Sequence, residues 1–174
     1  MKQIKWFDRK FDFSIEQNIF PSIIERLEGT PIRLEHKIGQ MAPENLTTKL
    51  GGKWSIQENI GHLIDLEPLW QGRLEDILKE TEYLRVADLE NKKTDSANHN
   101  EKEIGQLLTD FTNLRQATLN SLSTLDESEI YKYALHPRLK TPMRTMDLFL
   151  FVAEHDDHHL AMMSDIHKLL ITKK

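Results

Sequence analysis

The chain has 174 residues, 39% hydrophobic and 29% charged, with a net charge of −5 and no cysteine. That length suits one domain over residues 1–174, and the acidic balance excludes the electrostatic footprint of a nucleic-acid binder. Disulfides, thiolate metal cages and a cysteine nucleophile are excluded with the cysteines.

Along the chain, "MKQIKWFDRKFDF" scatters charges among aromatics without an apolar core, so no signal peptide is expected. No apolar run approaches the roughly 20 residues of a membrane-spanning helix, and a cytoplasmic protein that meets neither membrane nor nucleic acid is the expectation. Lys92-Lys93 and Lys173-Lys174 are too short to alter it.

A first helical segment is expected from about Ile15 to Met41, with Ile19, Ile23, Ile24, Leu27, Leu34 and Ile38 at i+3/i+4 spacing. Thr30 and Pro31 read as an N-cap and a first helical residue, so a break and restart is expected there. After a turn-rich connection, "SIQE" at Ser55–Glu58 forms a capping box opening a second helix to about Thr81, bent at Pro68. Tyr83 to Asn100 is polar and aperiodic, with the length of a crossover that lets neighbouring helices run parallel. Asn100 is expected to cap a third helix to about Leu122, with its core side at Ile104, Leu107, Leu108, Phe111, Leu114 and Leu119. The stretch "LDESEIYKYALHPRLKTP" reads as a second connection with one short helical turn. A fourth helix follows from about Met146 to Ile171. Four long helices without a credible strand argue for an all-α bundle.

The fourth helix carries "VAEHDDHHLAMM", which puts three of the chain's eight histidines inside an apolar pattern. At about 100° per residue, His155 and His159 share an inward stripe with Phe151, Met162 and Ile166. His158 and Asp156 fall on its flanks and Asp157 nearly opposite. Two imidazoles at i and i+4 are close enough to share one metal ion. A third ligand must come from elsewhere, and His62, on the flank of the second helix's apolar face, offers one. The same pair can instead hydrogen-bond carboxylates such as Asp65 or Glu154 and pack without metal. Spacing alone leaves both readings open.

The chain resembles the DinB-like superfamily, which includes the bacillithiol and mycothiol S-transferases. The resemblance rests on "TPIRLEHKI", "GKWSIQENIGHLIDLEPLW", "LHPRLKTPMRTMDL" and "FVAEHDDHHL", and spans nearly the whole chain. It implies a four-helix bundle of up-down-down-up topology, with a long crossover between helices 2 and 3. It also implies a divalent ion, zinc or nickel, held by His62, His155 and His159. One departure stands out: where many relatives place Gln, three residues after the second histidine of the late pair, this chain has Met162.

Three neutral histidines leave a divalent ion its full charge and open positions, the pattern of catalytic sites. Such an ion lowers the pKa of bound water or holds a thiol as thiolate. The resemblance favours a low-molecular-weight thiol as cosubstrate attacking a small electrophile, and a hydrolase is the alternative. Asp65, Glu154 and Glu58 are candidates to orient an imidazole or act as base, Glu58 reading more readily as a surface carboxylate. Asp156 is a further candidate to orient His159. His99 and His136 lie in loops that can border the site, whereas His36 and His167 read as structural. Trp54 and Trp70 flank the His62 segment as packing residues or as substrate walls. Two non-catalytic readings remain: a metal-stabilised binding or stress-response module, and a metal-free scaffold. A homodimer through Phe149 and Leu150, off the histidine stripe, is expected.

Overall fold

In the computed structural model, which describes residues 3–172, the apolar periodicity resolves into four long helices. These are α1 (Phe20–Ile38), α2 (Ile56–Leu78), α3 (Ile104–Ser123) and α4 (Thr145–Thr172). Lys173 and Lys174 lie outside the described residues. Side-chain pairings give the directions. Arg26 meets Glu154 and Lys37 meets Ser164, so α1 and α4 run parallel. Asn59 meets His159 while Trp70 meets Phe151, so α2 and α4 are antiparallel. Gln57 bonds the Lys102 carbonyl just before α3 and Gln71 bonds Thr118 within it, so α2 and α3 are parallel. The result is the up-down-down-up bundle, with the crossover between α2 and α3. No helix among the described residues is long and apolar enough to cross a membrane.

The capping box at Ser55 forms as expected, each partner's side chain bonding the other's backbone N–H. Pro31 does not break α1. The helix runs through it, and the carbonyl of Leu27, whose partner would be the N–H that proline lacks, accepts from Arg115 Nη1 at 3.3 Å. Thr30 is no cap either: it is buried in the helix, its hydroxyl donating to the Arg26 carbonyl. Asn100 does not cap α3, which begins at Ile104; it sits in a 3₁₀ turn and accepts from Ser55 Oγ at 2.7 Å.

The connections hold structure that the sequence pattern did not reveal. Lys92–Ser96 is a short helix that the polar crossover does not announce, whereas Glu127–Tyr131 is the one short helical turn expected in its connection. Two strands, β1 (Tyr133–Leu135) and β2 (Pro142–Arg144), pair antiparallel, and Tyr83 bridges Leu135 in parallel. At three residues each, these strands are too short for an alternating pattern to register.

Two apolar clusters form the core. One gathers Ile23, Leu27, Trp70, Leu74, Ile77, Phe149 and Val152; the other Leu34, Ile56, Ile60, Leu107, Phe111, Leu160 and Met163. Phe149 is wholly buried in the first, so it is no dimer surface, while Leu150 is half-buried against the same cluster. Arg115 touches both clusters, at the Leu27 carbonyl and over the Phe111 ring. Its guanidinium is ion-paired to Glu67 and Asp156, each at 2.6 Å and all three buried. Those pairs tie α3 to α2 and α4.

Candidate metal centre

His155 and His159 project inward from α4 one turn apart, and His62 meets them from antiparallel α2. One nitrogen from each lies within 4.8 Å of the others, and all three side chains are buried. The Nε2 atoms of His155 and His159 are 3.2 Å apart. Two nitrogens each at about 2.0–2.1 Å from a tetrahedral ion stand about 3.3 Å from one another.

Hydrogen bonds decide where the imidazole protons lie. His159 Nδ1 donates to Asn59 Oδ1 at 2.7 Å, and Asn59 is oriented by its own Nδ2, which donates to the Ser55 carbonyl. His62 Nδ1 donates to Thr94 Oγ1 at 3.1 Å, because the Thr94 hydroxyl gives its proton to Asp65 Oδ2. Both rings therefore keep the Nε2 lone pair for the shared centre. His155 differs: its Nδ1 is buried without a partner among the described residues. Nε2 lone pairs on His62 and His159, with a buried His155 nitrogen that has no protein partner among the described residues, are a donor set that fits a divalent cation.

Burial keeps the rings neutral. It pushes His62 down to about 4, with Asp65 pulling the other way, and sets His155 and His159 well below the usual imidazole range. At neutral pH all three present lone pairs rather than competing protons.

Aromatic rings enclose the cluster. Trp54 lies 4.7 Å from the His62 ring and 6.4 Å from His159, and donates its Nε1–H to Asp95. Trp70 stands edge-on to His155 at 6.0 Å. The N-terminal segment supplies a wall that sequence reasoning missed. Trp6 meets His155 edge-on at 4.9 Å and His158 at 5.3 Å, and Gln3 Nε2 donates to His158 Nδ1. The cue was the aromatic spacing of Trp6, Phe11 and Phe13 in an otherwise polar stretch.

The candidate carboxylates divide. Asp65 reaches His62 only through Thr94, and its Oδ2 also accepts from His99 Nε2 at 2.8 Å. Glu154 contacts no imidazole; it is ion-paired with Arg9 and Arg26 on the α1 side. Glu58 completes the capping box and pairs with Lys49. Asp156, a flank residue by periodicity, is buried against Arg115 rather than on His159. His99 is no surface residue, being buried against Gly61 and Asp65. His136 folds back to accept the N–H groups of Arg138 and Leu139. Met162 is half-buried, and the inward stripe continues from His159 to Met163 instead.

The model of the DinB superfamily matches residues 26–163. No protein of curated function matches the sequence. Among solved structures, YfiT from Bacillus subtilis, described as a probable metal-dependent hydrolase with an unusual four-helix bundle topology, superposes with a TM-score of 0.79. The alignment covers 93% of each chain at 22% identity, which speaks for a shared fold.

Proposed function

The chain belongs to the DinB superfamily, and on that premise we propose that it is a metal-dependent enzyme holding a divalent ion, zinc or nickel, on His62, His155 and His159. The observation that carries this reading is the convergence of three buried, neutral imidazoles with two Nε2 atoms 3.2 Å apart. Burying three polar rings against one another is unfavourable without a shared partner, and a cation offsets it. When bound there, the ion acts as a Lewis acid that makes a coordinated small nucleophile more acidic.

The chain's own groups bear on which nucleophile. Among the described residues no carboxylate hydrogen-bonds any of the three imidazoles. Asp65 is spent on Thr94 and His99, and Glu154 on two arginines. A site without a free carboxylate base suits a nucleophile that is already acidic. A thiol, with a pKa about seven below that of water, is such a group. We therefore read the activity as transfer of a low-molecular-weight thiol to a small electrophile. With no cysteine in the chain, the thiol is a cosubstrate. Trp6, Trp54 and Trp70 exclude water around the histidines and offer apolar walls to the electrophile. Hydrolysis is the second reading, favoured by the description of the YfiT structure.

Elemental analysis of untagged protein tests the proposal, with His62→Ala and His155→Ala alongside. About one zinc or nickel per chain in the wild type, lost in both folded variants, is expected. The metal-loaded protein is then assayed with small thiols plus electrophiles and, separately, with ester and amide substrates. Wild-type protein that takes up no metal on reconstitution overturns the metal reading. Ester or amide turnover without thiol dependence overturns the transferase reading.

A further inference from the structure

Arg73, on α2 one turn beyond Trp70, is only 3% exposed yet forms no ion pair among the described residues. Its Nε donates to the Arg85 carbonyl at 3.1 Å, and its guanidinium carbon lies 5.7 Å from the Trp70 ring. Neither Nη nitrogen has a partner among the described residues. Asp76, at i+3, would be the natural counter-ion. It is taken by Arg85, which binds both its oxygens through Nε at 3.0 Å, Nη2 at 2.8 Å and the backbone N–H at 2.8 Å. Gly72 makes this possible: a Cβ there would fall inside the Arg85 guanidinium, which lies against the helix at that point. Arg73 thus keeps only the distant attraction of Asp76, and burial pushes its pKa down to about 10.

The loop between β1 and β2 lies beside this guanidinium: the Leu84 N–H donates to the Leu135 carbonyl, one residue along from the Arg85 carbonyl that holds Arg73. Burial, followed by the Arg73 charge, lowers the pKa of His136, the next residue after Leu135. Because Nδ1 accepts two backbone N–H groups, the neutral ring carries its proton on Nε2. Arg138 adds positive charge on the loop side. A guanidinium with no counter-ion, its Nη groups free of protein partners among the described residues and open at the surface, next to a loop that carries an imidazole and a second arginine, is a donor set suited to an anionic acceptor.

The geometry points to an oxyanion site at Arg73 and His136, taking a carboxylate or phosphate group of a small-molecule ligand. Planar guanidinium recognises either in a two-pronged manner. Trp70, on whose ring Arg73 sits, is also the ring against His155, so the site stands one indole away from the histidine cluster. It does not depend on metal occupancy.

Calorimetric titration and thermal melting of the purified protein test this, with inorganic phosphate and with succinate, at ionic strength held constant with chloride. Saturable binding of at least one anion, with a matching rise in Tm, is expected. A response to phosphate alone assigns a phosphate-bearing ligand; a response to succinate assigns a carboxylate. Arg73→Met is expected to weaken binding at least tenfold, the worth of a charged hydrogen-bond pair, while melting no lower than wild type in anion-free buffer. Arg73→Lys, which keeps charge without the fork, is expected to bind at intermediate strength. Silence from both anions overturns the site, as does binding that survives in Arg73→Met and so belongs elsewhere, for instance at the metal. An Arg73→Met protein that melts well below wild type, or does not fold, makes the guanidinium structural and also overturns it.

Discussion

Arg115 on α3 supplies the hydrogen bond that Pro31 withholds from Leu27 on α1, Nη1 donating to the carbonyl at 3.3 Å. The same guanidinium is held by Glu67 and Asp156 at 2.6 Å, so one side chain ties all four helices together. Removing it strands two buried carboxylates and a carbonyl. Arg115→Met is expected to cost about 3–5 kcal/mol, read as a fall in urea midpoint at pH 7. Replacing Arg115, Glu67 and Asp156 together with apolar residues of similar volume is expected to recover most of that loss. A single variant as stable as wild type would refute this account of the bundle's centre.

Thr94 stands between His62 and Asp65, accepting from the ring at 3.1 Å and donating to the carboxylate at 3.0 Å. The hydroxyl thereby fixes which nitrogen of His62 keeps its lone pair. Thr94→Val preserves shape and removes the acceptor, and is expected to weaken zinc affinity about 10–100-fold. Thr94→Ser keeps the relay and is expected to stay near wild type. Competition against a chromogenic chelator gives both values, and equal affinities for all three proteins would remove Thr94 from the site.

What the sequence disclosed was local. The Ser55–Glu58 box and the four-residue step from His155 to His159 each depend on one helical turn, and both stand in the structure. The errors came from partners far along the chain. Thr30 and Pro31 read as a cap and a restart because those signals are local; the Arg115 donor that serves the Leu27 carbonyl where α1 runs through the proline is 88 residues away. Glu154 looked available for an imidazole because its arginine partners lie on α1 and in the N-terminal segment. Asp65 lies three residues after His62 on α2, but the Thr94 hydroxyl that links them belongs to a crossover whose polar sequence offers no periodicity to read. The aromatic spacing of Trp6, Phe11 and Phe13 marks the N-terminal segment as one that packs, but it does not say against what, and the contact of Trp6 with His155 spans nearly the whole chain.

Gly61 marks how closely that crossover packs on α2. A Cβ at this position would overlap the His99 imidazole, which donates to Asp65 at 2.8 Å. Gly61→Ala should gain helix propensity and still lose stability, by about 1–3 kcal/mol, because the buried ring has to move. Faster amide exchange is expected over residues 92–101, where the crossover meets α2, and little change in α3. Stabilisation by the alanine would mean that His99 relocates freely and is not a fixed partner of Asp65.

Acid is expected to unfold the metal-free protein through the same histidines that would bind the ion. Burial holds His62 at about 4 against an ordinary 6.5, and His155 and His159 are displaced in the same direction. The unfolded chain therefore takes up these protons before the folded one does. The stability they contribute is complete above pH 6.5 and drains as pH falls towards 4. For His62 alone the gap is worth about 3 kcal/mol. Melting temperature of chelator-treated protein is expected to drop steeply from pH 7 to pH 5, and His62→Gln is expected to flatten that slope. Loading with zinc occupies the lone pairs, so the loaded protein is expected to hold its Tm to lower pH and then release metal as protons displace it. Metal-free and metal-loaded melts that fall in parallel would mean that the ion is not bound by these rings.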